Sequence, residues 1–288
     1  MRIAHIIMAH KNPVQLRRLA ERLSHHSSDI YIHVDKKTSI TGFKNLSDLN
    51  QVFLLKNRTD CNWGGNSLLM GILKALNEVI DSGNNYDFIN LISAQDYPLI
   101  SSEEMHNYLS KKVGTNFLSF EESKDSEWWK KAVQRYEKYH LTDYSFKGKY
   151  LVQKFLNTFL PKRKFPIEID LYGGSKSTWW TITGECAKYV IEALLSNKKL
   201  NSFLKFSWGT DEFAIPTIVM NSPFKANTVN ENLRYIDWSE GNAHPKLLGL
   251  GDFEKIKSSE MLFGRKFDID FDEIILDKID QECLGLKI

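Results

Sequence analysis

Residues 2–35 have the sequence RIAHIIMAHKNPVQLRRLAERLSHHSSDIYIHVD, and this stretch decides the fold. The β-branched apolar run from Arg2 to Met8 predicts a strand, and Val14 to Leu23 places its leucines at helical spacing. Ile30 to Val34 is a second apolar run of strand length. A strand, a helix and a strand in this order predict a βαβ unit, which is the beginning of an α/β fold with parallel strands.

The same alternation continues further along the chain. Ser67 to Ile80 carries apolar residues along one helical face, and Phe88 to Ser93 is another apolar run of strand length. Polar segments follow the predicted strands at His10, Asp35 and Asp96. Because the carboxyl ends of parallel strands share one edge of a sheet, we expect these three loops to converge on one ligand crevice.

Composition and charge exclude several classes of protein. The chain has 288 residues, 42% of them hydrophobic and 26% charged, which is typical of a globular protein and not of a disordered one. A net charge of +2 does not predict a nucleic-acid partner. The three cysteines are far apart, which argues against a disulfide framework or a zinc site. With no apolar run of the ~20 residues that span a bilayer, we expect a cytoplasmic protein.

We expect a single domain, residues 1–288, with two functional halves. Residues 1–115 contain the predicted Rossmann-like strands and would form a nucleotide-binding half. Residues 116–288 are rich in aromatic residues and would form the half that binds an acceptor and performs the chemistry.

The chain lacks the common sequence motifs of nucleotide-cofactor, phosphate and serine-nucleophile sites. The chain has no Gly-x-Gly-x-x-Gly or Walker sequence and no Gly-x-Ser-x-Gly elbow. The triplet Asp268-Ile269-Asp270 has the form of a metal-binding Asp-x-Asp, but about 4.5 such acidic triplets are expected by chance at this composition. It therefore has little weight as a metal site.

Ordered segments along the chain carry a resemblance to one family. They are IYIHVDKK at 30–37, WGGNSLL at 63–69, FINLISAQDYPL at 88–99, SKSTWWTIT at 175–183, GTDE at 209–212 and LFGRKF at 262–267. In order and spacing they resemble the core-2/I-branching β-1,6-N-acetylglucosaminyltransferase family, which also contains the peptide O-xylosyltransferases. The resemblance covers about residues 1–270.

The resemblance implies an A-type glycosyltransferase fold with a mixed central sheet, and transfer from a UDP-sugar with inversion. It implies no divalent metal or other cofactor. Glu212 matches the family's catalytic base, and Arg234 and Lys266 match the cations that neutralise the diphosphate. The expected donor sugar is GlcNAc or xylose, and the expected acceptor is a glycan or a lipid-linked oligosaccharide.

Physical reasoning asks for the same groups. A departing UDP gains negative charge, which fixed cations can stabilise where no metal is present. An acceptor hydroxyl needs a carboxylate to remove its proton, and one base is sufficient for a single displacement. A double displacement would need a second carboxylate on the opposite face, and Asp211, adjacent to Glu212 in the chain, is poorly placed for that role.

Further candidate site residues follow from the strand ends and the motifs. For the nucleotide or its phosphates they are His10, Asp35 and Trp63; for the donor sugar or the acceptor they are Asp96, Glu121, Trp179 and Asp211. Asp35 and Asp96 are also typical of loop caps and turns, and a tryptophan is also typical of the core. Glu212 itself has a second interpretation as a surface acid before a helix. A catalytically inactive glycan- or nucleotide-sugar-binding protein remains an alternative to the enzyme, and a glycoside hydrolase is a third hypothesis.

The segment 147–164 combines lysines, an arginine and aromatic residues without an acid. This pattern is typical either of an interfacial helix at a membrane or of a solvated basic face on a core helix. The anchor, stem and disulfides of the animal family members have no match in this sequence, which leads us to expect a bacterial cytoplasmic relative, with the inner face of the membrane as a candidate location.

Overall fold

The computed structural model describes residues 1–124 and 126–286. Its strands are β1 Ile3–Ala9, β2 Ser28–Val34, β3 Val52–Leu54, β4 Phe88–Ser93, β5 Asp96–Pro98, β6 Asn116–Phe117, β7 Glu121–Glu122, β8 Tyr172–Gly173, β9 Trp180–Thr183, β10 Thr228–Val229, β11 Arg234–Ile236 and β12 Phe263–Arg265. Its α-helices are α1 Pro13–Leu23, α2 Asn66–Ile80, α3 Ser102–Ser110, α4 Glu127–Ala132, α5 Gln134–Glu137, α6 Lys149–Phe159, α7 Gly184–Ser196, α8 Lys198–Leu204, α9 Ala214–Met220, α10 Phe253–Lys257 and α11 Ile274–Glu282. Short 3-10 helices lie at Ile40–Asp48, Thr210–Glu212, Pro223–Asn227 and Leu250–Asp252.

The elements predicted from periodicity are confirmed. Strands β1, β2 and β4 and helices α1 and α2 lie where the apolar patterns place them, within two residues at each end. Helix α3 begins with a capping box: Ser101 Oγ accepts from the Glu104 backbone N–H, and the Glu104 carboxylate accepts from the Ser101 N–H. The α/β class is therefore confirmed.

The contacts divide the chain into two units, which we describe separately. The first unit contains Met1–Lys56, Asn85–Gly114 and the segment from Leu233 onward. Within it, β1 pairs in parallel with both β2 and β4, and β2 pairs in parallel with β3. Every residue of β1 and β2 is buried, as expected for strands covered on both faces. These strands form the Rossmann-like core of the unit.

A second sheet and the last helix complete the first unit. Strand β12 pairs in parallel with β11 and antiparallel with β5. Helix α11 is attached to α1 through Asp280, a fully buried carboxylate. Asp280 accepts hydrogen bonds from Arg18 at 2.8 Å, from Arg22 at 2.7 Å and from the Tyr97 hydroxyl at 2.7 Å. These bonds satisfy a charge that burial alone would make very unfavourable.

The second unit contains Asn57–Asn84 and Thr115–Asn232. In it, β6 pairs with β10 in parallel and with β9 antiparallel, and β7 pairs antiparallel with β8. Helices α2, α7 and α9 pack together in this unit and bury Leu69, Ile72, Leu76, Val190 and Ile215. The predicted division at residues 115 and 116 separates the chain by function and stays a prediction; by packing, Arg234 and Lys266 belong to the first unit.

Candidate active site

The carboxyl ends of β1, β2 and β4 lie side by side in the first unit. Ala9 is paired with Val34, and Met8 is paired with Ser93, so His10, Asp35 and the loop after Ser93 begin at one edge of the sheet. The predicted convergence of the strand-end loops is therefore observed. Each of these positions results from the parallel register of the strands.

Positive charges gather near this edge. Lys11 forms an ion pair with Asp268, and Asn12 donates a hydrogen bond of 2.9 Å to the same carboxylate. Burial and the neighbouring charges of Arg265 and Lys11 lower the pKa of Lys266. Burial and the charges of Lys11 and Lys266 likewise lower the pKa of His10. Cations that repel one another in this way are typical of a site that binds an anion.

The two predicted cations have different surroundings. Lys266 is half-buried, whereas Arg234 is buried and only 3% exposed. Arg234 donates a hydrogen bond to the Asn90 side chain and another, of 3.1 Å, to the Leu91 carbonyl. Lys266 is thus the cation that is accessible, and Arg234 is held inside the first unit.

The carboxylates predicted near the nucleotide and the sugar are occupied by neighbours. Asp96 is fully buried and accepts hydrogen bonds of 2.9 Å from both Ser93 Oγ and Arg265 Nη1. Asp35 accepts a hydrogen bond of 2.8 Å from the Lys37 backbone N–H and so caps the loop after β2. These contacts favour the turn and cap interpretations of both residues.

The predicted base, Glu212, lies in the second unit at the end of the short 3-10 turn Thr210–Glu212. Its Oε2 accepts a hydrogen bond of 2.5 Å from Arg135 Nη1, and its side chain is 22% exposed. Burial raises the pKa of Glu212 to about 7; the Arg135 charge opposes this and the neighbouring Asp211 reinforces it. A carboxylate with such a pKa is suited to accept a proton near neutral pH.

Arg135 is the main residue of this site that the sequence did not single out in a role. Its guanidinium lies between two indoles, 4.7 Å from the Trp128 ring centre and 4.5 Å from that of Trp208. Cation–π contacts on both faces fix the orientation of the guanidinium. Nothing in the sequence around Glu212 indicates this partner, because the two residues lie 77 positions apart in the chain.

Glycines allow the close packing around Glu212 and Trp208. Gly64 has φ 70°, and a Cβ there would lie 2.3 Å from Trp208 Nε1. A Cβ on Gly173 would lie 2.6 Å from the Glu212 carbonyl oxygen. Neither position tolerates a side chain unless the site moves. The glycines of the WGG motif are therefore needed for the packing around Trp208 and Asp143.

The loop before α2 is fixed by a carboxylate that is distant in sequence. Asp143 accepts hydrogen bonds from the Ser67 N–H at 2.9 Å and from Ser67 Oγ at 2.5 Å. A Cβ on Gly65 would lie 2.0 Å from the same carboxylate. This contact fixes the position of Trp63, which is 65% exposed. The Trp63 ring packs edge-on against Trp208, with 5.3 Å between the ring centres.

Glu121, another predicted site residue of the second unit, lies near the Glu212 backbone. Glu121 is in β7, paired with Gly173 of β8, and it accepts a hydrogen bond from Ser126. Gly174, the residue directly after β8, donates its N–H to the Glu212 carbonyl at 3.1 Å. Both acids therefore flank the same short strand.

Asp211 is buried and accepts a hydrogen bond of 2.8 Å from Thr178 Oγ1. Burial raises its pKa. Trp179, the neighbour of Thr178, is half-buried, whereas Trp180 is fully buried in β9. Of this tryptophan pair, only Trp179 has side-chain surface exposed to solvent.

Across residues 1–124 and 126–286, no cluster of three or more histidine, cysteine, aspartate or glutamate side chains has the arrangement of a metal site. The absence of a divalent metal from the function stays a prediction.

Known proteins resemble the chain over nearly its full length. A family model described as Core-2/I-Branching enzyme matches residues 3–261. Mouse Xylosyltransferase 2 is 27% identical over 311 aligned residues, which cover 99% of this chain and 34% of that protein. Beta-glucuronosyltransferase GlcAT14B of Arabidopsis thaliana is 26% identical over 300 residues, which cover 98% of this chain and 66% of that protein. The solved apo structure of mouse Xyloside xylosyltransferase 1 has a TM-score of 0.38 and 10% identity, and covers 91% of this chain and 96% of that one.

The chain thus spans about a third (34%) of the length of the xylosyltransferases that it matches. The family model, by contrast, accounts for residues 3–261, which include the strand-end loops of the first unit and the Glu212 group of the second. The chain belongs to the Core-2/I-Branching enzyme family.

Proposed function

We propose that this chain is an inverting glycosyltransferase that moves a sugar from a UDP-sugar to a hydroxyl of a glycan acceptor without a metal ion. Glu212 is the general base in this proposal. Lys266 and Arg234 stabilise the charge on the UDP leaving group. Membership of the Core-2/I-Branching enzyme family supports the class of reaction.

One observation carries the proposal: the carboxylate of Glu212 is mostly buried, and burial raises its pKa to about 7 despite the adjacent Arg135. For a surface glutamate without a catalytic role, a raised pKa has no functional consequence. A general base gains a pKa close to the working pH, where it is both deprotonated and able to hold the proton it takes. In the proposed step, the oxygen of the acceptor hydroxyl attacks the anomeric carbon of the donor sugar, and the bond from that carbon to UDP breaks. A carboxylate oxygen of Glu212 receives the proton of the hydroxyl.

Lys266 is the stronger of the two proposed phosphate ligands. It is half-buried beside Lys11 and Arg265, whose positive charges lower its pKa, and a bound diphosphate would relieve that repulsion. Arg234 is buried and hydrogen-bonded to Asn90 and Leu91, so its contribution is a positive charge held at a fixed position. Removing Arg234 should therefore also weaken the fold.

The donor and acceptor belong to the proposal as classes. Xylose is favoured as the donor sugar because xylosyltransferases are among the relatives, and GlcNAc is the second choice; the plant relative named as a glucuronosyltransferase adds glucuronic acid to the sugars that need testing. Exposed Trp63 and half-buried Trp179 offer ring faces on which a sugar can stack. Glu121 offers a carboxylate for hydroxyl groups of the acceptor.

The test measures release of UDP from UDP-xylose, UDP-GlcNAc, UDP-glucuronic acid, UDP-glucose and UDP-galactose, with and without EDTA. We expect release with one donor, undiminished by EDTA and reduced by about a hundredfold to ten-thousandfold in Glu212→Gln. Affinity of that variant for UDP should change little, because the base is not assigned to the nucleotide.

Glu137→Gln is a matched control. The Glu137 side chain is also 22% exposed and also accepts from a cation, Lys162, at 2.7 Å. It should keep wild-type turnover. Equal activity of Glu212→Gln and Glu137→Gln would remove Glu212 as the base. Binding of UDP-sugars without release under any condition would instead favour the inactive binding protein.

For the phosphate ligands, Lys266→Ala should weaken UDP binding more than uridine binding. Equal loss for the two ligands would contradict a phosphate role.

A further inference from the structure

Helix α6 contacts its own unit through polar side chains. Gln153 Oε1 accepts a hydrogen bond of 2.8 Å from the Leu141 backbone N–H. Asn157 makes two bonds with Tyr139: its Oδ1 accepts from the backbone N–H at 2.7 Å, and its Nδ2 donates to the carbonyl at 2.9 Å. The two amides lie four residues apart and therefore on one face of the helix. The side that faces the protein is thus the polar one.

The opposite side of α6 is apolar and faces solvent. Leu151, Phe155 and Phe159 follow one another at intervals of four residues and are 75%, 60% and 70% exposed. The rings of Phe155 and Phe159 lie 4.6 Å apart. Further exposed apolar residues of this segment are Phe146, Val152 and Leu160. We call this group, from Phe146 to Leu160, the α6 face.

This arrangement reverses that of an ordinary surface helix, which buries its apolar side and exposes its polar one. None of the residues of α6 is buried. The interpretation of 147–164 as a basic surface on a core helix is therefore wrong. A contiguous exposed apolar patch that carries three phenylalanines is typical of a surface that meets a partner.

The charges around the α6 face narrow the kind of partner. Of the basic residues in this segment, Lys149 donates to the Tyr144 carbonyl at 3.1 Å, Lys162 pairs with Glu137, and Arg163 donates to the Phe206 carbonyl at 2.7 Å. Lys147, Lys154 and Lys164 are exposed, and within the described parts of the chain they form no ion pair. The sequence from 146 to 165 contains no acid to neutralise them.

We propose that the α6 face docks on an anionic lipid bilayer, with its leucine and phenylalanines inserted at the interface and its three exposed lysines on the lipid headgroups. Apolar insertion combined with attraction between lysines and acidic lipids is the pattern of interfacial helices. The helix has 11 residues, and none of the described helices is long and apolar enough to cross a bilayer, so the contact is with one surface.

The test is sedimentation of the full chain with vesicles of phosphatidylcholine alone or mixed with phosphatidylglycerol. We expect binding to the mixed vesicles that weakens as salt rises. Leu151→Ser with Phe155→Ser should reduce binding at least about tenfold, and Lys147→Gln with Lys154→Gln and Lys164→Gln about a hundredfold at low salt. Because all five side chains are exposed, thermal unfolding should be unchanged.

The chain offers matched controls for both variants. Phe271→Ser removes a phenylalanine that is 58% exposed on the first unit. Lys111→Gln with Lys112→Gln and Lys199→Gln removes the same charge from exposed positions elsewhere. Both controls should bind vesicles like the wild type.

Equal loss in the lysine controls would mean that net charge alone attracts the chain, and the proposal would be wrong. It would also be overturned by absence of vesicle binding, or by sedimentation equilibrium showing that the α6 face holds two copies of the chain together.

Discussion

Arg135 Nη1 donates a 2.5 Å hydrogen bond to Glu212 Oε2 while the guanidinium is held between the rings of Trp128 and Trp208. The pair combines two opposing effects on one carboxylate. Burial disfavours the charged form of Glu212, and the fixed positive charge favours it. We infer that Arg135 is a positioning residue, which keeps Glu212 oriented and keeps its pKa from rising further.

The pH dependence of transfer should follow Glu212. Because burial raises its pKa to about 7, the base is protonated and inactive below that pH. We therefore expect kcat/KM to rise about tenfold per pH unit up to about pH 7 and to level off above it. A profile that is flat between pH 5 and 8 would contradict the assignment.

Replacing Arg135 should move that profile. Arg135→Met removes the charge that lowers the pKa of Glu212, so the rise in kcat/KM should shift by about 1 to 2 units toward higher pH. Arg135→Lys keeps a positive charge and should shift it less. A loss of activity at every pH without a shift would mean that Arg135 is only structural.

Gly64→Ala should damage the site from a distance in sequence. A Cβ at Gly64 would meet Trp208 Nε1 at 2.3 Å, and the residue has φ 70°. We expect a loss of about 2–3 kcal/mol in the free energy of unfolding and a change in tryptophan fluorescence as Trp208 moves off Arg135.

The matched control is Gly83→Ala, where φ is 78° and no atom lies within 4 Å of the added carbon. Gly83→Ala should therefore lose only the part that comes from backbone strain, about 1 kcal/mol in the free energy of unfolding. If both variants lose the same stability, the contact with Trp208 is not the cause.

Asp280→Asn should destabilise the protein by about 3 kcal/mol or more, because it leaves Arg18 and Arg22 without their buried counter-charge. Burial acts to raise the pKa of Asp280, but the hydrogen bonds from Arg22, Tyr97 and Arg18 outweigh it and the pKa is lowered. The stabilisation is thus present above the ordinary carboxyl pKa and is lost as pH falls through the lowered one. Urea unfolding at pH 7 and at acid pH measures both effects.

Asp277→Asn is the control for this variant, since Asp277 also pairs with Arg18, at 2.7 Å, but is 43% exposed. Its loss should stay below about 1 kcal/mol. Equal losses in the two variants would contradict the role given to the buried carboxylate.

His5 should make the fold sensitive to acid. Burial, reinforced by the charges of His106 and Arg234, lowers its pKa to about 3, and Asn90 lies 2.9 Å from its Nδ1. The unfolded chain binds this proton at a higher pH, so stability should fall as pH drops below about 6.5, by up to about 1.4 kcal/mol per unit. His5→Asn should reduce that slope in urea unfolding. His244→Asn, at an exposed histidine, should keep it.

Local patterns in the sequence were sufficient to predict the strands and helices that have clear apolar periodicity. The β1, α1 and β2 elements follow from apolar periodicity, and the strand-end loops follow from parallel pairing. The candidate base, Glu212, was identified through the short motif GTDE, one of the segments that carry the family resemblance. These inferences used residues that are close together in the chain.

The contacts that sequence reasoning missed join residues that are far apart. Arg135 meets Glu212 across 77 positions, and Arg265 meets Asp96 across 169, so nothing near Asp96 indicated that its carboxylate was occupied. For α6, periodicity predicted an amphipathic helix but not the direction of its polar side. That direction depends on the Tyr139 backbone, whose N–H and carbonyl both form hydrogen bonds with the Asn157 side chain.

The first unit is assembled from three separate segments of the chain, and this has a consequence for synthesis. Strands β1, β2 and β4 are translated before the last segment of the second unit, whereas β11, β12 and α11 are translated after it. Of these later elements, β12 pairs with β5, and Asp280 of α11 neutralises Arg18 and Arg22. The second unit, whose last segment ends at Asn232, has all its residues available before that. Translation order therefore favours completion of the unit that carries Glu212 before the unit that carries Lys266, and a nascent chain stalled near residue 232 would hold an apolar parallel sheet that lacks its closing elements.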